Sequence, residues 1–193
     1  MQPPGTEFLA SRYADASTLE AFIEAATKNQ EFWRGVHRLT RVEEALQERA
    51  RALPGAWHLL CLAEDWCGDA VQALPVVARL IERAPSIDLR VLRRDTNEDL
   101  MQAHLTRGTR SIPVVMVLDE AFREHGWWGP RPRLLQAWGY EVGPTLAPAD
   151  RSRQKREWYA RDRGASTALE VLALLERAAF GGAGDSSDGV AGA

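Results

Sequence analysis

Cysteine is scarce in this chain, and so are the features that direct a protein to a membrane or a nucleic acid. Two cysteines among 193 residues exclude a disulfide-stapled framework and make a reactive thiol the better question. No apolar run approaches the roughly 20 residues of a spanning helix, so no membrane partner is expected. An excess of one charge sign is lacking too: a formal net charge of -3 gives no reason to expect nucleic acid or an anionic membrane. The opening Met1-Gln2-Pro3-Pro4-Gly5 has neither the basic start nor the apolar stretch of a secretion signal, which makes cytoplasmic residence the expectation.

What is present suits one compact domain with additions: 45% hydrophobic and 26% charged residues. After a loose Pro/Gly-rich entry, Ser17-Thr18-Leu19-Glu20 reads as a capping box, with Leu19, Phe22, Ile23 and Ala26 on one helical face. Phe32, Trp33 and Val36 extend that face beyond a break near Asn29. Thr40-Arg41-Val42-Glu43 reads as a second capping box, leading into Val42, Ala45, Leu46 and Ala50. Trp57 to Ala63 is an apolar run of strand length, as expected of a strand covered on both faces.

A helix is expected from about Gly68 to Arg83, kinked at Pro75, then an alternating strand from Ile87 to Leu92. Thr96, with Asp99 as acidic partner, marks a helix reaching Leu105, and Gly108 stops it. Pro113 to Leu118 is another apolar strand, and Phe122 to Trp127 suits an antiparallel neighbour. Helices are expected over Arg133–Val142, Asp150–Arg163 and Ala168–Ala179, the last with Leu169, Leu172, Leu175 and Ala179 facing inward. Beyond Gly181 the composition cannot bury a core and reads as a disordered tail. The expected division is thus a helical extension over 1–39, one α/β domain over 40–180 and a tail over 181–193.

Ala63-Glu64-Asp65-Trp66-Cys67-Gly68-Asp69-Ala70 sits where the first strand gives way to a helix. A cysteine there lies at the positive end of the helix dipole, beside backbone donors that lack intrahelical partners, and both favour the thiolate that attacks. Glu64, Asp65 and Asp69 oppose this with negative charge, and Arg131, Arg133 or Arg94 are candidates to compensate. Modest activation is the net expectation. A metal site from Cys67, Asp69 and His125 matches no established ligand spacing, so no metal is expected.

The element order, Trp66-Cys67-Gly68 and Ser111-Ile112-Pro113 together resemble the thioredoxin family. The segments Glu64 to Asp69, Arg93-Arg94-Asp95 and Trp128-Gly129-Pro130-Arg131-Pro132 resemble a bacterial branch carrying W-C-G-D and G-P-R-P, over roughly Thr40 to Ala179. The resemblance implies a thioredoxin-like α/β fold: a central mixed sheet with flanking helices, extra N-terminal helices and a helical insertion before the C-terminal helix. It also implies that Cys67 is the nucleophile and that Trp66, Gly68, Asp69, Ile112 and Pro113 form the substrate groove. The Ile112-Pro113 bond would be cis, leaving the Ile112 backbone to pair with an extended substrate, and Asp65 and Arg131 would modulate the site.

Two departures stand out. Ala70 replaces the resolving cysteine, and Cys61 stands where thioredoxins keep a buried aspartate. Both losses fall in one half-reaction, so the dithiol cycle is expected to be absent. The leading expectation is thiol-disulfide exchange with protein or peptide thiols and disulfides, using Cys67 alone. Glutathione or another small thiol would complete it as co-substrate, with no other cofactor. A sulfenic-acid sensor, a noncatalytic peptide- or protein-binding module, and Cys61 as resolver remain alternatives. Asp69 is read either as a helix cap or as a tuner of the thiol. Arg151 to Arg156 reads as a solvated helix face, and His37, His58 and His104 need no special role.

Overall fold

Every residue of Trp57–Ala63 (β1) except His58 is buried, because this strand takes a neighbour on each edge and helices on each face. In the computed structural model, which describes residues 4–181, β1 pairs in parallel with Ile87–Arg93 (β2) and antiparallel with Val114–Asp119 (β3). The hairpin strand Glu124–Trp128 (β4) completes a mixed sheet of order β2-β1-β3-β4. Although helices separate the first three strands, only β1 and β2 run parallel. The chain enters β3 opposite the end of β1, with Val114 paired to Leu62, and so runs back along it. That reversal sets the Ser111-Ile112-Pro113 loop beside the turn that follows β1.

Nine helices surround this sheet among the described residues. The first, Thr6–Asp15 (α1), lies within the stretch expected to be a loose entry, and it buries Leu9 and Tyr13. Leu19–Glu24 (α2) is capped by Thr18, whose Oγ1 accepts the Ala21 N–H at 3.1 Å. Ser17 instead exchanges two backbone hydrogen bonds with Val91, adding one rung to the exposed edge of β2. Gln30–Leu39 (α3) buries Trp33 completely, whereas Phe32 faces solvent.

The second expected capping box is absent. Thr40 Oγ1 donates back to the Val36 carbonyl at 2.8 Å and closes α3, while Glu44–Arg51 (α4) starts without a side-chain cap. Thr96 likewise caps nothing: it lies in a short 3-10 turn, and Asn97 precedes Glu98–Ala103 (α6). Its expected acidic partner, Asp99, pairs with Arg12 of α1 at 2.6 Å.

Gly68–Ile81 (α5) follows β1 and contains Pro75 without ending there. Arg133–Glu141 (α7), Pro148–Asp162 (α8) and Ala165–Phe180 (α9) complete the chain. Leu172 and Leu175 of α9 are fully buried, but Leu169, expected beside them, is 48% exposed. Residues of α2, α3, α4, α5, α9 and all four strands share one continuous core. The expected disordered tail lies outside the described residues apart from Gly181.

Candidate functional site

Cys67 is the N-cap residue of α5, with extended backbone and no side-chain capping bond. It is 7% exposed, and its Sγ donates to the Ile112 carbonyl at 3.4 Å. The Ile112-Pro113 peptide bond is cis. Burial pushes the thiol above its ordinary range. The Ala70 N–H pulls it down, the Asp69 carboxylate pushes it up, and the Asp69 N–H and the Lys155 cation pull it down, with burial prevailing. The thiol is therefore the resting form near neutrality. Cys61 is also a free thiol, wholly enclosed on β1 between Val91 and Val115 of the adjacent strands, and burial pushes it up much further.

The turn between β1 and α5 is held from the N-terminal side. Asp65 accepts hydrogen bonds from the Thr27 N–H at 2.8 Å, the Thr27 hydroxyl at 3.2 Å and the Lys28 N–H at 3.4 Å. Its backbone carbonyl accepts from Trp33 Nε1 at 3.0 Å and Asn29 Nδ2 at 3.3 Å. Burial works to raise the Asp65 pKa, but the Thr27 and Lys28 donors and Arg93 overcome it and hold the carboxyl below its usual range. Glu64 is held from the end of β2, accepting from the Asp95 N–H at 2.9 Å and Arg93 at 3.3 Å. Both acids are engaged with the scaffold, so Asp65 is an anchor for the turn rather than a partner of the sulfur.

Trp66 is 48% exposed next to this anchored turn. The Arg94 guanidinium lies 5.0 Å from its ring centroid and donates to the Arg110 carbonyl at 3.0 Å, linking Trp66 to the loop that carries Ile112. Trp127 and Trp128 are packing residues: Trp128 Nε1 reaches Glu170 at 2.8 Å, and Trp127 meets the edge of His104.

On the other side of Cys67, Asp69 is 4% exposed yet carries no capping bond. Arg131 donates to one of its oxygens from Nε at 2.9 Å and Nη2 at 2.7 Å. Lys155 Nζ lies 3.0 and 3.1 Å from its two oxygens, and the Tyr159 hydroxyl donates at 3.1 Å. The cap role for Asp69 is thereby replaced by a buried ion cluster. Gly129 makes the delivery of Arg131 possible. At φ +134 it passes so close to the Pro113 carbonyl that a Cβ would collide with it. Burial opposes the Arg131 charge, but Asp69 holds the guanidinium protonated. Burial and Asp69 together push the Tyr159 hydroxyl far up, so it stays neutral.

A family model described as Thioredoxin matches residues 16–147. This chain belongs to the thioredoxin family. The match extends further toward the N-terminus than the sequence resemblance did, taking in α2 and α3, and it ends before α8. A crystal structure of a protein of unknown function from Pseudomonas aeruginosa is 24% identical, with a TM-score of 0.71 over 88% of this chain and 98% of that one. The crystal structure of an HIV epitope-scaffold is 22% identical, with a TM-score of 0.66 over 86% of this chain and 96% of that one. At such identities the likeness is one of fold. No curated protein matches the chain.

Within this thioredoxin-family fold, Cys67, Gly68, Asp69, Ile112, Pro113 and Arg131 meet at one end of the sheet, with Trp66 at the rim. Lys155 and Tyr159 were not expected there. They come from α8, beyond the family match: Lys155 from the stretch that reads as a solvated helix face, and Tyr159 from the turn after it. The one available signal was a tyrosine four residues after a lysine, which puts both on one helix face. His104 also carries more than its sequence suggested. Buried beneath β4, its Nδ1 meets the Leu100 carbonyl at 2.7 Å and its Nε2 the Glu124 carboxylate at 3.0 Å. Burial disfavours the imidazolium, yet those two acceptors raise its pKa.

His125 pairs with Asp119 at 2.9 Å and not with Cys67 or Asp69. No group of three or more His, Cys, Asp or Glu side chains among the described residues is arranged to hold a metal ion. Among the same residues, no helix is long and apolar enough to cross a membrane.

Proposed function

We propose that this chain is a thiol-disulfide exchange protein of the single-cysteine, W-C-G-D kind, acting on protein or peptide disulfides. The observation that carries the reading is the 3.4 Å approach of Cys67 Sγ to the Ile112 carbonyl beside Pro113. A substrate strand laid along Ile112 would bring its disulfide to the sulfur.

In the first step Cys67 loses its proton and the thiolate attacks one substrate sulfur. A Cys67–substrate disulfide forms, the substrate's own disulfide breaks, and the departing sulfur takes up a proton. Ala70 offers no resolving thiol, so an external one such as glutathione attacks the Cys67 sulfur and releases the second substrate thiol. A second glutathione then attacks the glutathione sulfur of the new mixed disulfide. Cys67 is freed, and glutathione disulfide carries away the two electrons' worth of oxidation. The raised thiol pKa makes the first step slow near neutrality and faster as pH rises.

Burial of the thiol favours a second reading, a noncatalytic peptide-binding module in which Cys67 is only a small core side chain. Incubation with glutathione disulfide, followed by intact-mass measurement, separates the two. Exchange predicts one glutathione adduct on Cys67, formed faster at alkaline pH and removed by reduced glutathione. Absence of an adduct at every pH where the chain stays folded would leave the binding module. A Cys67→Ser variant would then retain its peptide partners.

A further inference from the structure

Asp69 is a single carboxylate facing two cations. Arg131 approaches from the segment before α7 and Lys155 from α8, and Tyr159 adds a neutral donor from the next turn of α8. The cluster therefore carries one net positive charge, held two residues from Cys67 in the first turn of α5. The remaining nearby acids do not cancel it: Glu64 is bound to Asp95 and Arg93, and Asp65 to Thr27 and Lys28. The arrangement is a built one. The carboxylate is nearly enclosed, and the two cations reach it with only about a third of each side chain exposed (29% and 30%). Tyr159, the single buried residue of α8, fixes the register that brings Lys155 over the site.

We propose that Lys155 is a positioning residue for Cys67, placing a cation at the first turn of α5 that Asp69 half-neutralises until the sulfur ionises. When Cys67 becomes a thiolate, the sulfur and the cluster together are neutral. When it is a thiol, they hold one surplus positive charge. Lys155 thus favours ionisation, and Asp69 opposes it while fixing the ammonium in place. α8 thereby becomes a regulatory element of the site: a shift of this helix that withdraws Lys155 while the sulfur stays covered makes the thiol harder to ionise. The functional meaning of this device rests on the exchange reading above, although its measurement does not.

The test is the pH profile of Cys67 alkylation by iodoacetamide in the full chain, read by mass spectrometry with melting followed in parallel. Lys155→Met should shift the profile to higher pH and slow alkylation several-fold near neutrality, and Lys155→Arg should restore it. Asp69→Asn should shift the profile the opposite way, since both cations then face the sulfur uncompensated. Opposite signs are what a merely structural role would not produce, because loosening of the fold exposes the thiol in either variant.

An unmoved profile in Lys155→Met, or shifts of the same sign in both variants, would overturn the proposal. Should Lys155→Met fail to fold, Lys155→Gln takes its place in the comparison with Asp69→Asn, and an unmoved or downward profile in it overturns the idea. The exchange reading fails separately. Profiles that move as stated in a chain that never takes up glutathione keep the charge device and lose the turnover. An adduct with unmoved profiles does the reverse.

Discussion

Two buried aspartates flank Cys67, two residues to either side, and they are held in opposite ways. Asp65 is satisfied mainly by neutral donors, with Arg93 at 3.5 Å, and its contacts tie the turn to the segment between α2 and α3. Asp69 is satisfied mainly by cations, from the segment before α7 and from α8. Neutral donors fix position without adding charge, so the upstream aspartate shapes the turn. Cations fix position and leave a field, so the downstream aspartate sets the electrostatics of the sulfur. A motif in which the cysteine is bracketed by acids looks hostile to a thiolate, yet one acid is spent on scaffolding and the other is overcompensated.

The largest effect that would break this contrast comes from Asp65→Ala. Losing the acceptor strands the Thr27 and Lys28 N–H groups, at a cost of roughly 2–4 kcal/mol in urea unfolding. The alkylation profile of Cys67 should not move, provided measurement stays below the transition. Tyr159→Phe should cost about 1 kcal/mol by removing one buried hydrogen bond to Asp69. If Asp65→Ala proved no worse than Tyr159→Phe, the assignment of scaffolding to the upstream side would be wrong.

A pH series sharpens the same point. Asp65 is held below its ordinary pKa in the folded chain. Its stabilisation is present above the unfolded aspartate pKa of about 3.9 and is lost as pH falls through the lower folded value. The urea midpoint should therefore fall on acidification below about pH 4, and Asp65→Asn should flatten that limb. Cys67 acts at the other end, since its raised pKa makes stability decline once the unfolded thiol ionises, above about pH 8.5. Cys67→Ser should remove part of that alkaline decline.

The smallest effect belongs to Trp66→Ala. This side chain is half exposed and gains mainly the Arg94 contact, so about 0.5 kcal/mol is expected on melting. A loss of several kcal/mol would show that Trp66 is structural and not part of an open rim.

The sequence alone determined the element types, because hydrophobic periodicity is local: β1, α5, β2 and β3 fall close to where alternation and helical spacing put them. It also placed Cys67 at a strand-to-helix junction and Pro113 at the head of a strand. It misplaced two helix caps, since the Thr40 and Thr96 hydroxyls each bond back to a local carbonyl, that of Val36 and that of Arg93, instead of capping the next helix. It missed α1, although Leu9, Tyr13 and Ala16 stand at helical spacing, because the Pro/Gly-rich opening reads as a loose entry. Periodicity and spacing could not set the direction of β3 or the approach of Ile112 to Cys67, which the family resemblance implied and the folded chain carries out. Tertiary structure alone gave Asp69 its partners, 62, 86 and 90 residues away. Polar contacts at such separation leave no periodic trace in a sequence, because a lysine or arginine reads the same whether it meets water or a buried carboxylate.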